Sequence, residues 1–208
     1  AQWTPSPRLG VAWSPSRSGG SRIYAGYARI ADASNLRIFT RPLDQYTLTT
    51  YFRPDGGPGR VDALSLFTIA NSHLLRPAYN NWFLGGAHAW RWGLLVRADY
   101  VRRRGARGFT YRNTVLDSNA PLPAWATYTG AGRADTIYRL TNERTDAFDS
   151  ISVTLRQTFH RSYEWSASYT RSRASSNTVV DISVEDPVTI QDNAGPMPWD
   201  APHRFTSW

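Results

Sequence analysis

Between Phe148 and Arg173 apolar and polar residues alternate with a period of two through two consecutive segments. Ile151, Val153, Leu155 and Phe159 fall on one side of an extended chain, with Gln157 the single break, and Ser150, Ser152, Thr154, Arg156 and Thr158 fall on the other. After a short turn at His160–Arg161–Ser162, Tyr163, Trp165, Ala167 and Tyr169 alternate with Glu164, Ser166, Ser168 and Thr170. Successive strand side chains point to opposite faces, so the pattern specifies a β-hairpin with one apolar and one small-polar face. Each arm runs to about 10 residues, longer than the ~5–6 of ordinary soluble strands. It matches the ~9–11 residues of a tilted strand that crosses a membrane.

The same pattern recurs upstream. Leu9, Val11 and Trp13 alternate with Arg8, Gly10, Ala12 and Ser14; a turn cluster at 15–20 follows, then Ile23, Ala25 and Tyr27 share a face. Trp82, Leu84, Gly86 and Trp90 form another apolar row, and beyond the tight connection at Arg91–Gly93, Leu94, Val96, Ala98 and Tyr100 oppose Leu95, Arg97, Asp99 and Val101. The reading is therefore three hairpins: 8–14 with 21–30, 80–90 with 94–104, and 147–159 with 163–173. Short turns close each hairpin and long segments, 31–79, 105–146 and 174–202, separate them. Such segregation of loop lengths is the plan of an outer-membrane barrel. Trp13, Trp82, Trp90, Tyr100, Tyr163 and Tyr169 stand near strand ends as interfacial girdles do. The expected fold is all-β: a partial antiparallel transmembrane β-barrel, a meander of long strands with short periplasmic turns and long extracellular loops. Ile151, Val153, Leu155, Trp165 and Tyr169 are expected to face lipid, and Ser152, Thr154, Ser166 and Ser168 to face inward. Two other readings stand beside it: a small, complete eight-stranded structural or adhesive barrel, and a soluble extracellular β-sandwich that binds carbohydrate through Trp and Tyr.

Composition narrows the function classes. The 208 residues include 24 basic ones, every one an arginine, against 16 acidic, for a formal net charge of +8. An apolar share of 41% is too high for a disordered chain. Mean hydropathy is −0.48, and no apolar run approaches the ~20 residues of a membrane helix. With no cysteine there is no disulfide scaffold, Cys-ligated zinc or Cys nucleophile. No Walker loop, G-x-G-x-x-G, H-E-x-x-H or G-x-S-x-G is present, and His73, His88, His160 and His203 are scattered. Asp181, Glu185, Asp186 and Asp192 lack an EF-hand register and read as a solvated loop, with calcium left open. The expectation is a non-enzyme without cofactor or metal. The run Arg102–Arg103–Arg104–Gly105–Ala106–Arg107, with Phe109 and Tyr111 beyond it, is a solvated strand end, a contact for an anionic ligand or envelope lipid, or a nucleic-acid patch. In the barrel reading it opens an extracellular loop, where Arg meets lipopolysaccharide phosphates or an anionic solute, and nucleic acid is no partner. The candidate ligand-binding residues are Arg102, Arg103, Arg104, Arg107, Phe109, Tyr111, Trp125 and Tyr128.

Four stretches, in order, resemble the barrel of TonB-dependent outer-membrane receptors, and in particular the subgroup with an N-terminal carboxypeptidase-regulatory-like domain. They are PSPRLGVAWSP with RIYAGYARI, RPAYNNWFLGGAHAWRWGLLVRADYVRRRGARG, DAFDSISVTLRQTFHRSYEWSASYTRSRASSN, and DNAGPMPWDAPHRFTSW with its Asp–x–x–His–Arg–Phe motif. The resemblance implies a barrel of about 22 strands with a plugged lumen, of which residues 1–208 form part of the single barrel domain, seven to ten strands. The plug and the remaining strands then lie elsewhere. It also implies a place in the bacterial outer membrane among lipid and lipopolysaccharide. The TonB complex, acting through the plug, would drive uptake of a large, scarce solute of the siderophore, oligosaccharide or peptide class.

Overall fold

The structure, a computed structural model, describes residues 5–15, 19–31, 46–50, 52–57, 59, 63–69, 74–113, 136–159, 163–181, 189–191, 194–197 and 200–208. The strands are β1 (Arg8–Trp13), β2 (Ser21–Ala31), β3 (Tyr46–Thr49), β4 (Ala63–Ile69), β5 (Ala78–Ala89), β6 (Leu94–Asn113), β7 (Thr136–Phe159), β8 (Tyr163–Ser176), β9 (Val179–Asp181), β10 (Thr189–Gln191), β11 (Gly195–Pro196) and β12 (His203–Ser207). Among the described residues the one helical element is a single 3-10 turn, Arg91–Gly93. The three hairpins read from the alternation are all present: β1 with β2, β5 with β6, and β7 with β8.

Seven long or edge strands form an antiparallel meander in the order β1-β2-β5-β6-β7-β8-β12, and β1 and β12 are its two edges. Register keeps one apolar row in phase across the sheet. Val11 pairs with Ala25, Ala25 with Leu84, Leu84 with Tyr100, and Tyr100 with Ile151. Leu9, Trp13, Ile23, Trp82, Val153, Tyr169 and Phe205 lie on this same face and stay exposed. Among the described residues the other sheet is only the two-stranded β9–β10 pair, which is no second face of a sandwich: a soluble sandwich buries its apolar faces against each other. Leu155 and Trp165 share the face but are half-buried between strand neighbours. Ser152, Thr154, Ser166 and Ser168 lie opposite, as expected from the period of two, and Ser166 is 2% exposed.

Aromatic rings lie flat against this second, polar face. The Phe83 ring covers Gly26, its register partner, and the Tyr24 ring covers Gly85. A Cβ built on Gly26 would stand 2.2 Å from Phe83 Cζ, and one on Gly85 would stand 2.4 Å from Tyr24 Cε2. Glycine is required here because the ring occupies the place of a side chain.

The long segments hold more strand than the sequence suggests. β6 continues to Asn113 and β7 begins at Thr136, so the expected connection 105–146 narrows to 114–135. Residues 31–79 contribute β3 and β4, and β4 pairs in parallel with the start of β7, Ser65 with Thr136 through Ile69 with Leu140. Pairing is therefore not purely between sequence neighbours. β4 and β8 occupy the same edge of β7 in succession. The changeover falls where register slips between Gly105 and Thr110, with Arg107 at φ 62°. Two asparagines fill the gap. Asn142 Nδ2 donates to Leu75 O (2.8 Å) and Arg107 O (2.7 Å), and its Oδ1 accepts from Leu75 N (2.6 Å). Asn177 Oδ1 accepts from Thr145 N (2.7 Å), while its Nδ2 donates to Glu143 O (2.9 Å). Above them Phe67, Phe109, Tyr111 and Leu140 form a small buried core.

Candidate functional site

The polar face is built by every second residue of five neighbouring strands, and several of its charged groups pair with one another. Asp99 accepts from Arg97 Nε at 2.7 Å and from the Tyr24 hydroxyl. The Arg22 and Arg97 guanidinium groups stand 5.9 and 5.7 Å from the Tyr24 ring centroid, within cation–π range. Farther along, Thr154 and Ser168 share a hydrogen bond of 3.1 Å, and Arg156 pairs with Glu164 at 2.6 Å. This wall is wettable and carries both signs of charge.

Toward the loop end the polar face forms a recess of about 420 Å³ lined by Tyr79, Arg103, Arg144, Asp146, Phe148 and Ala174. Arg144 Nε meets Asp146 Oδ1 at 2.9 Å, with the two side chains only 12% and 11% exposed. Tyr79 donates from its hydroxyl to Asp146 Oδ2 at 3.3 Å, and its ring lies over Gly105. Arg103 Nε donates to Asn81 Oδ1 at 2.7 Å, and its guanidinium stands 5.7 Å from the Tyr79 ring centroid. Arginine forks and flat aromatic faces together suit a solute with oxygen acceptors and planar or sugar-like surfaces. Among the described residues no three His, Asp or Glu side chains gather as a metal site.

The arginine run does not open a loop, as the sequence reading placed it. It lies inside β6, and strand alternation divides it between the faces. Arg103 joins the polar recess; Arg102 and Arg104 stand on the apolar side, where Asp149 accepts from Arg104 at 2.7 Å and lies 4.0 Å from Arg102. Arg107 is exposed at the register slip. Phe109 and Tyr111 are 9% and 3% exposed, and Tyr111 meets Phe67 edge-on at 5.9 Å, so packing, not a solute, occupies these rings. Trp125 and Tyr128 lie outside the described residues, as do Glu185, Asp186 and Asp192. Tyr79, Arg144, Asp146 and Phe148 were missed because they fell in segments read as connections or at strand ends. Their signal was present: Arg144, Asp146 and Phe148 continue the alternation of Ser150, Ser152 and Thr154.

Comparison with known proteins places this architecture. The chain aligns over 97% of its length with the outer membrane transporter YddB from Escherichia coli, at TM-score 0.61 and 16% identity. It aligns over 83% with the siderophore receptor PirA from Pseudomonas aeruginosa, at TM-score 0.50 and 20% identity. The aligned region spans 26% and 28% of those two proteins. No curated protein matches the chain. The model of the outer membrane beta barrel domain matches residues 2–208. A wide meander with one exposed apolar face and one polar face fits that match, and the chain belongs to the outer membrane beta barrel domain family.

Proposed function

We propose that this chain is a wall segment of a TonB-dependent receptor that takes up a large, scarce solute across the bacterial outer membrane. What carries the reading is the loop-end recess on the polar face. Arg103, Arg144, Tyr79 and Phe148 gather there, on a wall that elsewhere carries the ion pairs Arg97–Asp99 and Arg156–Glu164. Likeness in fold to a transporter and a siderophore receptor supports it. In this reading the rest of the wall and a plug come from outside residues 1–208, and the TonB complex acts on the plug. The recess serves as a vestibule: arginines hold carboxylate, phosphate or phenolate oxygens, and the aromatic faces stack on rings. Siderophores, oligosaccharides and peptides all present such groups.

The test is solute-limited growth and uptake by a strain carrying the full-length protein, with and without functional TonB. Arg103→Gln and Phe148→Ala should lower uptake while the protein still reaches the outer membrane. Uptake unaffected by loss of TonB would overturn the energised-transport reading.

A further inference from the structure

We propose that the polar face carries a second solute station near the short turns, a recess lined by Arg22, Tyr24, Ala87, Leu95 and Arg97, and that it takes a carboxylate borne on a flat or apolar body, the same group that the loop-end recess takes. The inference rests on the transport reading and extends it from one site to two along the wall. The same arrangement occurs twice. Tyr79 on β5, Gly105 on β6 and Asp146 on β7 are successive register partners. So are Tyr24 on β2, Gly85 on β5 and Asp99 on β6. In each row the tyrosine ring covers the glycine, and its hydroxyl donates to the aspartate beyond. The aspartate also accepts from the arginine two positions before it, Arg144 Nε at 2.9 Å in one row and Arg97 Nε at 2.7 Å in the other. A further guanidinium stands by each ring, Arg103 at 5.7 Å from the Tyr79 centroid and Arg22 at 5.9 Å from that of Tyr24. The rows lie six residues apart on both β5 and β6, about 20 Å of strand.

Charge names the guest. The ion pair in each row is neutral, while Arg103 and Arg22 are exposed and have no acidic partner among the described residues. Each recess therefore offers one uncompensated positive charge. That matches the single charge of a carboxylate, whereas a phosphate monoester carries nearly two. The guanidinium fork pairs with both carboxylate oxygens in parallel hydrogen bonds. The floor of the lower recess is small. Arg22, Ala87 and Arg97 are successive register partners on three strands, so two arginines flank one methyl group and a space of about 320 Å³ stays open there. Leu95 supplies an apolar wall, as Phe148 does in the upper recess. A row that served packing alone would need its ring and its glycine, but not a second arginine without an acidic partner beside the ring.

The experiment is photoaffinity labelling of the full-length protein in outer membranes. The probe is 4-azidobenzoate, the control is neutral 4-azidobenzamide, and labelled peptides are read by mass spectrometry. Wild-type protein should label at two places with the benzoate, around Tyr79 and Phe148 and around Tyr24 and Leu95, and at neither with the benzamide. Excess benzoate should displace both labels, and inorganic phosphate should displace neither. Arg22→Gln should lower the second label by roughly tenfold and leave the first unchanged; Arg103→Gln should do the reverse. Ala87→Leu fills the lower recess with both arginines kept, so it should abolish the lower label even where Arg22→Gln fails to assemble. A lower recess that stays unlabelled in wild type, as a plug segment seated on it would leave it, overturns the proposal. So does equal labelling by the benzamide, displacement by inorganic phosphate, or a lower label indifferent to both substitutions. TonB dependence of uptake is read separately. Uptake that ignores TonB while both labels follow their arginines removes energised transport and leaves the two carboxylate sites standing.

Discussion

The ribbon formed by β6 and β7 passes through two solvents. From Leu94–Gln157 to Gly105–Asp146 it runs twelve consecutive register pairs without a slip; one side is mainly apolar up to Tyr100–Ile151 and charged beyond, at Arg102, Arg104 and Asp149. Beyond Gly105 it slips twice, and its aromatic residues turn into a buried cluster with Phe67 and Leu140. The lower stretch stands in lipid, where Ile151 and Val153 are at home while 51% and 39% exposed in the isolated chain. Every backbone group there must be paired, and a bulge would leave some unpaired. The upper stretch stands in water, where an apolar surface must be covered. β4 returns from the long loop to cover it, and bulges are tolerated because water and the Asn142 and Asn177 amides replace the missing pairs. One ribbon thus follows two folding rules, decided by its surroundings.

The largest effect should come from opening the upper core. Leu140 is fully buried, and Leu140→Ala should cost about 2–5 kcal/mol. Amide exchange should rise in β4 and in upper β7, with heat-modifiable migration of the barrel unchanged. Equal loosening of the lower wall would merge the two regions. Next, Leu84→Arg should cost about 2–4 kcal/mol near the midplane, measured by unfolding in lipid vesicles. On a water-soluble sheet a residue so exposed would tolerate arginine, so a near-zero result breaks the contrast. Asn142→Ala should cost about 1–3 kcal/mol by leaving Leu75 and Arg107 backbone groups unpaired. Protease cleavage near residues 74–77 should then appear before any at the turns. Smallest of all, Thr170→Lys on the polar face should change stability by less than about 0.5 kcal/mol, whereas Tyr169→Lys next to it should be costly.

The lower wall was legible because lipid imposes a strict period on it: Ile151 to Phe159 and Tyr163 to Tyr169 announce both strand and face. The upper ribbon was not. Gly105, the positive-φ Arg107 and the extra residue at the slip interrupt the count of two. β4 is short, and its pairing with Thr136–Leu140 is parallel and distant in sequence, which local pattern does not encode. The same interruption hid the site. Arg102, Arg103 and Arg104 look like one basic run, but a strand sends Arg103 to the recess and its neighbours to lipid. Phe109 and Tyr111 look like loop aromatics open to a solute, and their burial depends on Phe67, some forty residues upstream.

The account's central claim is that strand parity assigns each residue of this wall to lipid or to water. Single cysteines from 150 to 156 test it directly, because the chain has no cysteine of its own. Each would carry a spin label in the full-length protein in liposomes, with oxygen as the lipid-phase relaxant and a nickel chelate as the aqueous one. The account predicts alternation at every step: 151, 153 and 155 relaxed by oxygen, and 150, 152, 154 and 156 by the chelate. Uniform accessibility to the chelate, or alternation in the opposite phase, would contradict it.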